Sequence, residues 1–167
     1  LFRCESIVLQ TSWVLVIMDQ CTRRLLGFGV HGGSVTGTDL CRMFNAAIHE
    51  RGAPRHLSTD HDPLFEAHRW TANLRILDID EIKTVPHVPL SHPFVERLIE
   101  TMRREFLDHV LFWNAWDLER KLADFQTYCN AARRACQEIR GPFWPPRHPA
   151  SPRCSSVTCA RHASSSR

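Results

Sequence analysis

Residues 13–18 form an unbroken apolar run, Trp-Val-Leu-Val-Ile-Met, closed by Asp19. Branched and aromatic residues favour extended backbone, and a strand that is apolar at every position is buried on both faces. The sheet containing it needs a layer on each side, which is the pattern of an α/β fold. The rest of the chain reads as the material for those layers. Residues 1–9 are strand-like, and polar residues 19–24 lead from the apolar run into a partner strand at 25–30, ended by Gly32-Gly33. Thr36-Gly-Thr-Asp39 has the form of a capping box, and Leu40, Phe44 and Ile48 follow at helical spacing. Pro54 introduces a short strand at 55–59. Residues 65–74 read as a short helix, and 82–88 as a strand interrupted by Pro86. Pro93 suits the first turn of a helix, and Val95, Leu98, Ile99, Met102 and Phe106 make its apolar stripe. A last helix starts near Asn114, with Leu118, Leu122, Phe125 and Cys129 on one face. The expected fold class is α/β, with a mixed sheet of about five strands flanked by helices.

A chain of 167 residues suits one domain and a tail. The domain is expected over residues 1–135. Residues 136–167 are rich in Pro, Ser and Arg and are expected to be disordered. Within that tail, His148, Cys154, Cys159 and His162 are of metal-binding type, but no predicted element flanks them to hold a site. The formal net charge is only +3, yet residues 101–167 carry 11 basic and 6 acidic side chains. Arginine supplies 19 of the 21 cations, and its planar fork suits phosphate. This part of the chain is therefore matched to a polyanion. No apolar run approaches the roughly 20 residues needed to span a bilayer, so no membrane partner is expected. Seven scattered cysteines without a Cys-x-x-Cys pair fit a reducing compartment. A soluble cytoplasmic protein is the expectation.

Two acids occupy positions that α/β folds use for chemistry. Asp60 follows the short strand at 55–59, where such sheets place ligands at strand carboxyl ends. Glu96 falls in the first turn of the helix that follows Pro93, after 35 intervening residues.

These residues lie in motifs that resemble a known family. Leu57-Ser-Thr-Asp60-His-Asp62-Pro-Leu-Phe65 resembles the second-acid motif of DDE integrases and transposases. Pro89-Leu-Ser-His-Pro-Phe-Val-Glu96-Arg-Leu-Ile-Glu-Thr-Met-Arg-Arg-Glu105 resembles their third-acid helix. Val16-Ile-Met-Asp19-Gln-Cys-Thr-Arg23-Arg24 is similar to their second strand, whose Asp does not bind metal; Asp19 is expected to hydrogen-bond the following turn. The likeness is to the integrase-core transposases of bacterial insertion sequences and covers about residues 1–135.

The resemblance implies a ribonuclease-H-like fold and metal-dependent polynucleotidyl transfer, the cleavage and joining of DNA strands in integration and transposition. It implies Mg²⁺ or Mn²⁺ at a two-metal site, with Asp60 and Glu96 as catalytic, metal-binding carboxylates. Hard cations that keep several waters take a few carboxylate oxygens, and a close pair stabilises both the attacking and the leaving oxygen. The family's first acid is expected at Glu5 or just ahead of Leu1. The second alternative makes the first strand incomplete, and the chain as given is then expected to cleave no DNA. His61 and Asp62 are secondary candidates for the site. Arg103, seven residues after Glu96 and on about the same helix face, is the leading DNA-phosphate candidate, with Arg97 and Arg104 beside it. Implied partners are element-end DNA, target DNA and further copies of the chain, with no small-molecule cofactor. The alternative reading is a catalytically dead domain of the same fold that binds nucleic acid or multimerises. A ribonuclease-H-type nuclease acting on RNA–DNA hybrids is disfavoured by the 35-residue gap.

Overall fold

The computed structural model describes residues 1–59, 62–83, 93–139 and 156–159. Its spine is β2 (Thr11–Asp19), flanked by antiparallel β1 (Phe2–Glu5) and β3 (Leu25–Gly32). The apolar run alternates between two cores, as a doubly covered strand must. Leu15 and Ile17 pack with Leu1, Leu40, Phe44, Leu57 and Trp70 on one face. Val14, Val16 and Met18 pack with Phe2, Val95, Ile99, Met102 and Leu122 on the other. The first layer consists of α1 (Gly37–Ile48) and α2 (His68–Ile76); the second consists of α3 (Pro93–Met102) and α4 (Ala115–Ile139).

The capping box forms as the sequence predicts. Thr36 Oγ1 accepts from Asp39 N at 3.4 Å, and the Asp39 carboxylate accepts from Thr36 N at 3.1 Å. Behind it α1 lies very close to β3. A Cβ added at Gly29 would come within 2.5 Å of the Met43 carbonyl oxygen, so only glycine admits this approach.

On the other side of the sheet, β4 (His56–Thr59) and β5 (Asp80–Lys83) are parallel. Between β4 and β2 runs β6 (Ser156–Cys159), parallel to β4 and antiparallel to β2. Because β3 lines one edge of β2 from Ser12 to Met18, β1 and β6 lie end to end along the opposite edge. The sheet thus has six strands in five lanes and is mixed.

Several elements differ in extent from the sequence reading. The leading strand stops at Glu5, because Ser6 and Gln10 close a turn: Ser6 N donates to Gln10 O at 3.0 Å, and Gln10 N to Ser6 Oγ at 3.1 Å. The helix expected at 65–74 is a 3-10 turn (Pro63–Glu66) followed by α2, with extended Ala67 between them. The fifth strand begins at Asp80, and residues 84–92 lie outside the described set. α4 runs to Ile139, beyond the expected boundary at 135. Residues 156–159 belong to the sheet, whereas the sequence reading put them in a disordered tail. A four-residue strand lodged between two others draws its order from their edges, so its own composition carries little sign of it. Cys4 and Cys41 are free thiols, and Cys21 is disulfide-bonded. Among the described residues, no helix is long and apolar enough to cross a membrane.

Candidate active site

The carboxyl end of β4 is fixed by a half-buried polar contact. Thr59 Oγ1 donates to Glu81 Oε1 at 2.7 Å, and the same oxygen accepts from Trp70 Nε1 at 3.2 Å. The last residue of β4 is thereby tied to β5 and α2. Asp60 and His61, which come next, lie outside the described residues. The chain resumes at Asp62, which is buried and whose Oδ1 accepts from Leu64 N at 2.9 Å. Asp62 therefore caps the 3-10 turn that opens with Pro63.

Glu96 sits in the first turn of α3, one position from the buried Val95, and is exposed. It makes no ion pair among the described residues. Two arginine–aromatic contacts lay α3 along β2. Near its start, the Arg23 guanidinium lies 3.3 Å from the Phe94 ring centroid. At its end, Arg103 Nη2 donates to Arg3 O at 3.2 Å, and its guanidinium is 5.0 Å from the Phe2 ring centroid. Arg23 is in the turn after β2, whereas Phe2 and Arg3 lie opposite Val14 and Trp13. The seven residues from Glu96 to Arg103 rise about 10 Å along a helix, the length of about three strand residues. The first turn of α3, with Glu96, therefore lies toward the carboxyl end of β2. Thr59 is opposite Cys159, and Thr158 is opposite Met18, so Thr59 is level with Ile17. The first turn of α3 and the carboxyl end of β4 thus lie toward the same end of the sheet.

The other sequence candidates are placed differently. Glu5 is opposite Thr11, six residues down β2 from Ile17, or roughly 20 Å along the strand. Its carboxylate is paired with Arg3 at 2.6 Å. The structure does not bring Glu5 to Glu96. The Asp19 carboxylate accepts from Cys21 N at 3.0 Å and from Thr22 N at 3.4 Å, closing the turn as expected. Arg103 is engaged with β1, and Arg104 pairs with Glu105 at 3.3 Å. Arg97 is exposed and borders a cavity of about 300 Å³ shared with Arg23, Phe94, Thr101 and Tyr128. Among the described residues no three His, Cys, Asp or Glu side chains converge to hold a metal ion.

Sequence reasoning missed the Thr59–Glu81–Trp70 contact and the Arg23–Phe94 stack. Both join residues far apart along the chain, and nothing in local spacing marks them.

No family model matches the chain. It is 26% identical over 119 residues to an uncharacterized 39.2 kDa protein of insertion element IS476 from Xanthomonas euvesicatoria, over 71% of this chain and 34% of that protein. Among solved structures, it resembles a chain of the simian T-cell lymphotropic virus intasome in complex with PP2A regulatory subunit B56 gamma. There the TM-score is 0.62 at 19% identity, over 90% of this chain and 55% of that one. The catalytic core domain of BIV integrase aligns at 18% identity and a TM-score of 0.49, over 72% of this chain and 74% of that one. The chain spans about a third of the insertion-element protein and about half of the intasome chain. Its fold is that of an integrase/transposase-like core.

Proposed function

We propose that the chain is a ribonuclease-H-like core for DNA integration or transposition, with Asp60 and Glu96 as its metal-binding carboxylates. The observation that supports this reading is that the first turn of α3 and the end of β4 lie toward the same end of the sheet. Leu57 faces the α1–α2 core, and Thr59, two residues on, donates to Glu81, whose carboxylate also accepts from Trp70 on α2.

The donor set suits Mg²⁺ or Mn²⁺, which prefer hard carboxylate oxygens, and the exposed Glu96 is free of any competing cation among the described residues. When bound, such ions supply activation of the attacking oxygen and charge stabilisation of the leaving one. Asp60 and Glu96 orient that centre, while Arg97 and Arg23 present cations to DNA phosphate beside α3. Partners in this reading are element-end DNA, target DNA and further copies of the chain.

Glu5 stands too far down β2 to act as the third acid. In this reading Asp60 and Glu96, with no third acid converging among the described residues, are expected to hold metal weakly and to support no DNA cleavage. The reading of a catalytically inert domain that binds nucleic acid shares this fold and is favoured specifically by the position of Glu5.

Mn²⁺ titration followed by thermal unfolding tests the pair. Bound Mn²⁺ should raise Tm, and Asp60→Asn or Glu96→Gln should each weaken binding about tenfold or more. An Mn²⁺ response that survives both substitutions removes the proposed site. Nicking by the unaltered chain that is abolished by Glu5→Gln removes the inference about the third acid.

A further inference from the structure

We infer that the turn between β1 and β2 and the connection from α3 to α4 form one apolar docking surface, and that its occupant is a second copy of this chain. The turn, residues 6–10, carries Ile7, Val8 and Leu9 in succession, and all three are exposed. Hairpin turns ordinarily use Gly, Asn or Asp, and three successive apolar side chains left in water do nothing for the fold. The backbone there is also held against its own preference. Leu9 has φ 58, in the left-handed region that disfavours any residue with a Cβ. Ser6 N donates to Gln10 O at 3.0 Å, Leu9 N to Ser6 O at 2.9 Å, and Gln10 N to Ser6 Oγ at 3.1 Å. A strained turn fixed by three hydrogen bonds thus holds Leu9 outward, 80% exposed.

The connection lies alongside. Ile7 N donates to Phe112 O at 3.1 Å, so the turn and residues 111–113 meet edge to edge. Phe112 is buried, but its neighbours Leu111 and Trp113 are 72% and 61% exposed, and Trp116 on the first turn of α4 is 68% exposed. This wall is braced too: Lys121 Nζ donates to Leu111 O, and Trp113 N donates to Asp117 Oδ2 at 3.2 Å. The six apolar side chains present on the order of 800 Å², more than the largest patch of an ordinary monomer and about what one partner supplies to a standard interface. Rigid aromatic anchors on fixed backbone lose little entropy on docking, as a hot spot requires.

The rim selects the occupant. Asp108 and His109 come just before Leu111, and Glu119 and Arg120 follow Trp116; all four are exposed. The Arg120 guanidinium is 5.9 Å from the Trp116 ring centroid. A rim of both signs gives a DNA backbone or an anionic bilayer little net attraction. A copy turned about a twofold axis can instead set each acid beside a base, and an isologous contact uses the same patch on both sides. The surface adjoins Thr11, six residues or roughly 20 Å along β2 from Ile17. Two copies joined here leave the opposite end of each sheet, with the first turn of α3 and the end of β4, open. This deepens the reading that the chain works with further copies of itself, and rests on it only for that use; the surface itself does not involve the metal site.

Sedimentation velocity on the full chain, without DNA or metal, tests the surface. An interface of this size binds at micromolar concentrations or below, so the chain should pass from monomer to dimer between about 1 and 100 µM. Leu9→Gly should weaken dimerisation at least tenfold and leave the Tm of the monomer equal or higher, because glycine accepts φ 58 without strain. Trp113→Ala with Trp116→Ala should weaken it at least as much. If that pair of substitutions prevents folding, Leu9→Gly decides alone. A chain that stays monomeric throughout this range overturns the inference, as does a dimer that Leu9→Gly leaves intact. Binding of the monomer to anionic phospholipid vesicles that is lost in Leu9→Gly assigns the patch to a lipid surface and overturns the choice of occupant. A chain that dimerises as stated but shows no Mn²⁺ response counts against the metal site alone.

Discussion

Asn130 on α4 pairs with Leu25 as a neighbouring strand would. Its Oδ1 accepts from Leu25 N at 3.0 Å, and its Nδ2 donates to Leu25 O at 2.9 Å. One turn earlier, Gln126 Nε2 donates to Leu26 O at 2.9 Å. Among the described residues β3 has a strand on one edge only, and these two amides complete the other edge where β3 begins. Asn130 is buried, so its loss strands the Leu25 N–H away from water and leaves Leu25 O with only the longer bond from Gln126 Nε2 at 3.4 Å. Asn130→Ala should lower stability by about 2–4 kcal/mol in chemical denaturation. Asn130→Asp, which keeps the acceptor and loses the donor, should also be destabilising. A variant as stable as the parent would show that water replaces the amide.

The packing of α1 on β3 gives a second expectation. Gly29→Ala puts a methyl group against the Met43 backbone, which cannot yield as a flexible side chain tip can. Overpacking of this kind costs about 1–3 kcal/mol or more. Gly32→Ala serves as the control, because its nearest neighbour would be the Ala115 Cβ at 3.8 Å, an ordinary contact. Thermal unfolding of the two variants should separate them clearly; equal Tm values would mean that α1 can move off β3 at little cost.

What could be read from the sequence was what depends on neighbours along the chain. The apolar run at 13–18 required two covering layers, and both are present. Thr36 and Asp39 announced the start of α1, and the stripe Val95, Leu98, Ile99 and Met102 announced the buried face of α3. What could not be read depends on partners distant along the chain. Val157 and Thr158 sit among prolines and serines, and only the two strand edges beside them give them order. Arg103 shares a helix face with Glu96 by spacing, yet a π-helical turn (Arg103–Leu107) begins there, and its guanidinium turns to the β1 backbone. Asp62 stood beside a candidate acid as a spare carboxylate, but its geometry is that of a turn cap. Glu5 was suggested by its type, and only the register shows its distance from β4.

Acid should weaken the fold through two surface carboxylates. The Thr36 side chain and backbone bonds hold the Asp39 carboxyl below its ordinary range, and the Lys121 bond does the same for Asp117. A depressed folded pKa contributes stability above the unfolded value of about 4, and that stability is lost as pH falls through the folded value. Asp39→Asn with Asp117→Asn should therefore flatten the fall of Tm at acid pH while lowering Tm at neutral pH. The alkaline side has the opposite sign. Burial pushes the Cys4 thiol up to about 11, so its contribution is present below 9.0 and is lost as pH rises toward 11. Cys4→Ser should remove that alkaline decline, and a decline that persists would assign it to other groups.

The arginines of α3 divide into one that clamps and one that faces outward. Arg103 donates to the Arg3 carbonyl and covers Phe2, so Arg103→Ala should cost about 1–2 kcal/mol of stability by releasing β1. Arg97 is exposed beside Arg23 and Phe94 and has no ion pair among the described residues. Its replacement should leave Tm nearly unchanged, since a surface substitution of this kind costs within about 0.5 kcal/mol. If DNA runs past this face, Arg97→Ala should weaken binding to any duplex sequence and reduce the salt slope by about 1. Binding measured by fluorescence anisotropy over a range of salt concentrations, with Tm taken on the same samples, distinguishes the two roles. Should Arg103→Ala weaken DNA binding as much as Arg97→Ala at unchanged Tm, the guanidinium at 103 serves phosphate and not β1, and α3 has lost one of the two anchors that lay it along β2.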